Sequence, residues 1–314
     1  MKRRFFIKNK NVGYGDSTYF TIEPIEDKLS VQLLYYNDMY YSIDGDAWRK
    51  LSAGASTPII NAGQQIHLKI NNPIISDSFG IGTFIISKRC NVFGNIMSLL
   101  FGDNFEGQTD LSGKKHAFYK LFYNCSTIID ASQLKLPATT LSDMCYSHMF
   151  SYCTSLTTAP ELPATTLSDM CYSYMFYTCT SLVTAPELPA TTLAEGCYSS
   201  MFDNCKSLVT APELPAKTMF ESCYYKMFED CTSLTEAPVL PATMLERFCY
   251  SYMFTNCSKL NYIKALFLTE FNNNCTSDWV KGVSSTGTFV KSKDATWNVI
   301  GSDGIPSGWT VQTV

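Results

Sequence analysis

From residue 117 to residue 274 the chain repeats one phrase at a fixed spacing. Aligned on a Cys-Tyr pair, the copies CYSHMFSYCTSLTTAPELPATTLSDM (145–170), CYSYMFYTCTSLVTAPELPATTLAEG (171–196), CYSSMFDNCKSLVTAPELPAKTMFES (197–222) and CYYKMFEDCTSLTEAPVLPATMLERF (223–248) are each 26 residues long. A further copy at 249–274 keeps the Cys-Tyr half and loses the Ala-Pro-x-Leu-Pro half. A 28-residue copy at 117–144 carries Ala117 where the others begin with Cys. A catalytic motif is needed once, whereas a phrase repeated at constant spacing is architecture. A period in the twenties with regularly placed leucines predicts an α/β leucine-rich-repeat solenoid with a parallel β ladder, its degenerate first and last copies acting as capping turns.

Roles within a copy follow from local periodicity. In DMCYSYMFYTC (169–179), Cys171, Met175 and Cys179 fall at i, i+4 and i+8, and Tyr172 and Phe176 form a second i, i+4 pair. That spacing predicts about two turns of amphipathic helix. Position 174 and its equivalents read His148, Tyr174, Ser200, Lys226 and Tyr252, and the positions at 177 and 178 vary as freely, which reads as a solvated face. The following TSLVTAP (180–186) is β-branched and ended by Pro186, so it reads as the stacking strand. Val183 and Ala185 would point to one side and Thr184 to the other. ELPATTL then returns the chain, with Pro189 opening the next turn and Leu188 and Leu193 packing inward.

Ten of the thirteen cysteines fall in two columns: Cys145, Cys171, Cys197, Cys223, Cys249 and Cys153, Cys179, Cys205, Cys231, Cys257. Rungs about 4.8 Å apart would allow disulfides up a column. Equivalent neighbours above and below give no unique pairing, however, and an odd total leaves one cysteine over. Buried free thiols, which behave as small apolar side chains, are the expectation. There is no Cys-x-x-Cys pair and the chain has only three histidines, so neither a zinc site nor any other metal or cofactor is expected.

The flanks lack the period. Residues 1–90 are Tyr-rich, with alternation in LSVQLLYY, MYYSIDGDAWRKL and QQIHLKI and a hairpin signal at Asp44-Gly45, and read as an all-β sandwich-like domain. Residues 91–116 would form the amino-terminal cap, 117–280 the solenoid and 281–314 a C-terminal β cap packed with Trp297 and Trp309 and closed by Pro306. A net charge of -4, without a Lys/Arg cluster, excludes nucleic acid as an expected partner. The opening MKRRFFIKNK is basic but has only Phe5, Phe6 and Ile7 before Lys8, too short for an export signal. No window reaches the length of a membrane span, so no membrane insertion is expected.

Candidate chemistry is sparse. A cysteine nucleophile needs a singular environment with a base, yet these cysteines occupy equivalent niches, and His67, His116 and His148 stand apart in the sequence. The chain is therefore read as non-enzymatic. LPATT resembles a sortase signal, but it recurs internally with no hydrophobic tail after it. What remains are columns: Thr158, Thr184, Thr210 and Glu236, and beside them Glu161, Glu187 and Glu213. Stacked carboxylates repel unless solvated or bridged. These columns form either a water-exposed edge or a binding surface, whose threonines and glutamates could hydrogen-bond glycan hydroxyls.

The phrase MFxxCxSLxxAPxLPAxT with its leading Cys-Tyr resembles the BspA-type leucine-rich repeats of gut Bacteroidota. The entry GNIMSLLFGDNF and the endings GTFVK, ATW and IPSGWTV resemble an architecture found in those bacteria and in phages that infect them. The resemblance implies a surface or adhesion role with a host cell-surface glycan or protein as partner. Surface-anchored members would carry an export signal. Its absence from this chain shifts the expectation from a bacterial surface to a phage particle: tail, fibre or head decoration. The alternative is a structural virion scaffold with no ligand of its own, contacting other virion proteins through the amino-terminal domain.

Overall fold

The computed structural model describes residues 18–34, 39–52, 54–70, 83–269 and 274–314; the basic opening stretch lies outside the described residues. Strands β1 (Phe20–Pro24), β3 (Met39–Ile43), β4 (Arg49–Leu51), β5 (Ile66–Ile70) and β7 (Cys90–Asn95) form an antiparallel sheet in the order β4-β3-β5-β1-β7. Asp44-Gly45 makes the turn after β3, with φ of +54° and +85°, the left-handed conformations such a turn needs. A second layer pairs β2 (Val31–Leu34) with β6 (Thr83–Ile86), and Phe20 of the large sheet stacks on Phe84 of this pair at 5.9 Å.

Strand β7 belongs to both halves of the molecule. On one side it runs antiparallel to β1, and on the other it pairs in parallel with β8 (Ile128–Asp130) and β9 (Leu134–Lys135), which lie in the first repeat. Gly94 makes the junction possible: at φ +78°, a Cβ there would stand 2.2 Å from the Tyr19 carbonyl oxygen. After β7, helix α1 (Ser98–Phe101) and a single 3-10 turn (Gly102–Asn104) are the helical elements among the described residues.

The predicted repeat helix is not formed. The amide N–H groups of Tyr146, His148, Phe150 and Tyr152 instead donate to the carbonyls of Cys171, Ser173, Met175 and Tyr177 in the next rung, at 3.0, 3.0, 2.9 and 2.8 Å. Those of Ser147, Met149, Ser151 and Cys153 bond back three residues within their own rung. Every fourth residue is left-handed, as at Met144, His148 and Tyr152 with φ of 54°, 57° and 63°. The segment is thus a train of four-residue turns. An α-helix would spend its N–H groups within itself and leave none for stacking. A spacing of i, i+4, i+8 with no i+7 partner fits a unit of four better than one of 3.6. Left-handed non-glycine residues cost of order 1–3 kcal/mol each and persist where the surroundings over-determine them, which the inter-rung bonds do here.

Past the turns, single parallel bridges join Thr158 to Thr184 and Thr184 to Thr210, with Asp130 below and a Glu236–Tyr262 bridge above. Full strands form toward the end of the stack, where β10 (Tyr262–Ala265), β11 (Thr288–Lys291) and β12 (Thr310–Thr313) pair in parallel. The expected side-chain alternation is shifted. Val183 is 47% exposed, and Leu182 and Ala185 are the buried residues. The Leu182 N–H closes a turn on the Cys179 carbonyl at 3.0 Å, which aims Leu182 inward and leaves Val183 and Thr184 outside. Leu188 and Leu193 are buried as expected.

Inside, repetition becomes columns of rings. Phe150, Phe176, Phe202, Phe228 and Phe254 stack with centroids 5.6 to 5.8 Å apart and planes within 9°. Tyr146, Tyr172, Tyr198, Tyr224 and Tyr250 stack at 5.7 to 6.0 Å with planes within 10°. The flanks close both ends: Phe20 and Phe84 pack on Phe122 below, and Trp279 on Tyr250 and Phe254 above. Trp297 and Trp309 donate their indole N–H to the carbonyls of Phe267 and Ser284 at 2.9 and 2.7 Å.

Candidate binding surfaces

All thirteen cysteines are free and buried. One column has a specific task, because the Cys153, Cys179, Cys205, Cys231 and Cys257 thiols donate to the carbonyls of Phe122, Phe150, Phe176, Phe202 and Phe228 at 3.0 to 3.2 Å. Each thiol thus satisfies a backbone acceptor in the rung before it. Burial pushes the thiols up, Cys145 and Cys223 to about 12, so at neutral pH they are protonated and poor nucleophiles. The histidines are equally absorbed by structure. His67 pairs with Thr21 Oγ1 at 2.8 Å, His116 packs edge-on against Tyr119, and His148 stacks on Tyr174 with centroids 4.6 Å apart. Among the described residues no group of three His, Cys, Asp or Glu side chains is placed to hold a metal ion.

Two exposed faces remain. The first is the ladder edge, where Thr158, Thr184, Thr210 and Glu236 are all exposed, and the bridges align the three threonines one above another. Glu161, Glu187 and Glu213, three residues further along each rung, are also exposed. They stand on a proline-lined strip: Glu161 and Glu187 flank a shallow groove of 330 Å³ between Pro160, Pro163, Pro186 and Pro189, and Glu213 a second of 260 Å³ beside Pro215 and Pro241. The structure therefore aligns the three threonines and sets Glu161 and Glu187 at one groove, with Glu213 at another and Glu236 exposed beyond them.

The second face is the turn train, and it departs from the sequence reading. Its variable positions are not uniformly solvated, since Ser200 is fully buried and Asp203 is 8% exposed. In the lower rungs they build a ridge of rings: Tyr119 against His148, His148 on Tyr174, Tyr123 against Tyr152 and Tyr152 against Tyr177, with centroids 4.6 to 5.8 Å apart. The ridge stops at the start of the rung 197–222, where Gly196, just before it, and Ser200 stand in place of Met170 and Tyr174, and it resumes with Tyr225 edge-on to Tyr252 and Phe248. Between the two parts lies a cleft of 420 Å³.

The electrostatics change at the same rung. Burial first, then the neighbouring Glu229 and Asp230, raise the Asp203 carboxyl to about 7 against the opposing pull of Lys226. Lys226 is paired to Glu229 at 2.9 Å and lies over the rings of Tyr225 and Tyr252. His148 is pushed down to about 4 by burial and by Lys120.

Sequence reasoning missed this face because it treated variation between copies as a sign of solvent. A usable signal was present: Asn124, Asn204, Asp230 and Asn256 share one column, and Asn and Asp are enriched in the left-handed conformation that column adopts. No family model, curated protein or solved structure was found to match the chain.

Proposed function

We propose that the chain is a non-catalytic recognition protein, a leucine-rich-repeat-type solenoid held by an all-β amino-terminal domain and presenting its exposed faces to a glycan or protein on a host cell. The observation that carries this reading is the fate of the reactive groups. The repeat thiols are buried and protonated, one column of them donating to backbone carbonyls, and the three histidines are packed or bonded within the fold. Display on a phage particle, or on a bacterial surface, is the setting that the resemblance of the repeat implies, with the amino-terminal domain facing the rest of the particle.

The ladder edge is proposed as an extended contact surface. Labelled protein should attach to cells of a gut Bacteroidota host, and replacing Thr158, Thr184, Thr210 and Glu236 together by Ala should weaken attachment. Thermal melts should shift little, since surface substitutions alter stability by less than about 0.5 kcal/mol each. Attachment to no host cell, or a turnover abolished by a single Cys or His substitution with an unchanged melt, would overturn the proposal.

A further inference from the structure

The break in the aromatic ridge has the form of a built site. Its opening depends on Gly196, and the backbone does not demand glycine there: φ is +55°, while Met170 and Ser222 hold the same place in the rungs on either side at 52° and 55°. A Cβ on Gly196 would meet only the Met170 side chain closely, at 3.3 Å. The missing side chain therefore creates space. The walls of that space are Tyr174 on one side and Tyr225, Phe248 and Tyr252 on the other, with Ser173, Ser199, Ser222 and Glu195 also lining it.

We infer that this cleft is a carbohydrate-binding site that takes one neutral pyranose unit of an oligosaccharide, an inference that rests on the recognition reading and gives it a second, specific site. A pyranose offers an apolar C–H face for the rings and a rim of hydroxyls for the serines and Glu195. Aromatic side chains supply large apolar contact with, for tyrosine, a polar end, and 420 Å³ falls within the range of about 300–1,000 Å³ usual for small-molecule clefts.

Charge narrows the class of occupant. A cationic ligand would compete with resident cations, because Lys226 Nζ lies 5.6 and 5.1 Å from the Tyr225 and Tyr252 ring centres and the Arg247 guanidinium 4.6 Å from that of Phe248. An anionic ligand would meet Glu195 in the lining, and find Lys226 and Arg247 already paired with Glu229 and Glu221 at 2.9 and 3.2 Å. An apolar peptide side chain would cover the serines and Glu195 without offering them hydrogen bonds, which is costly. A neutral polyol avoids all three penalties.

The test is binding of the full chain to an array of neutral hexose and N-acetylhexosamine oligosaccharides alongside sialylated and sulfated ones, with calorimetry on the positives. Neutral oligosaccharides should bind, and Gly196→Met and Tyr252→Ala should each weaken them at least tenfold with the melting temperature kept. Lys88→Ala, an exposed position in the amino-terminal domain, should bind them as the parent does. If Gly196→Met fails to fold, Tyr252→Ala decides. Binding of charged glycans only, of none, or unchanged binding in the cleft variants overturns the inference. In that event cell attachment that survives leaves the recognition reading standing, and attachment by no form of the protein removes it.

Discussion

The ladder edge and the turn train are built from the same 26-residue phrase and behave in opposite ways. On the edge, Thr158, Thr184 and Thr210 repeat one residue in one environment, and the valines at 183 and 209 are 47% and 48% exposed. On the turn train, one position holds His148, Tyr174, Ser200, Lys226 and Tyr252 in succession. The edge threonines align because Thr184 bridges Thr158 below and Thr210 above. The turn train already has its backbone satisfied, by bonds to the next rung and bonds back three residues, so its side chains are free to differ. Individual chemistry arises where they differ: a raised carboxyl at Asp203, a lowered imidazole at His148 and a cleft at Gly196.

The sharpest way to break this contrast is to cut the interior that both faces share. Phe176→Ala, in the middle of the phenylalanine column, should cost about 3–5 kcal/mol in denaturant unfolding. Thr184→Ala on the edge of the same rung should cost less than about 0.5 kcal/mol. Similar losses for the two would mean that the column does not carry the stack.

A smaller effect should appear with pH, and only on the turn face. The folded Asp203 carboxyl titrates near 7 rather than 3.8, so between those values the folded state holds a proton that the unfolded state has released. Its contribution to stability therefore falls as pH rises from about 4 to about 7. His148 does the reverse. Titrating near 4 rather than 6.5, it binds its proton more readily when unfolded, and stability rises with pH from about 4 to 6.5. The two opposing slopes should give the parent a shallow profile across this window. Asp203→Asn should tilt it upward with pH, by at most about 4 kcal/mol at 1.36 kcal/mol per pKa unit, and His148→Tyr should tilt it downward. Melts from pH 4 to 7.5 read both slopes, and parallel profiles for all three proteins would contradict the assigned environments.

Smallest of all should be the effect of edge threonines on folding. Thr158→Ala with Thr210→Ala should leave the melt within a degree or two of the parent while reducing cell attachment measurably. A substantial loss of stability would place these residues in the scaffold rather than on a contact surface.

How far the sequence could be read follows the same division. The 26-residue period, the inward leucines at 188 and 193, the two cysteine columns and the threonine column are visible in the sequence, because each depends on residues being the same in every copy. The helix was misread because Cys171, Met175 and Cys179 have the spacing of one helical face, and only the left-handed residues at 170, 174 and 178 separate a train of turns from a helix. Val183 and Ala185 were placed on one side because strict strand alternation was assumed where the chain makes only a single bridge. The cleft is a difference between copies, Gly196 against Met170 and Phe248 and Tyr225 against Ser173 and Ser251. A reading that averages the copies erases it.

The central claim is that constant interior residues build the stack while exposed residues recognise the partner, on the turn face through those that vary, and one transplant tests the turn-face part directly. Gly196→Met, Ser200→Tyr, Asp203→Tyr and Asn204→Thr together give the rung 197–222 the turn face of the rung before it. Every introduced side chain already occupies the equivalent place one rung earlier. This protein should melt within a few degrees of the parent, lose at least tenfold in binding to neutral oligosaccharide and attach less well to host cells. An unchanged melt with undiminished binding to both would contradict the claim.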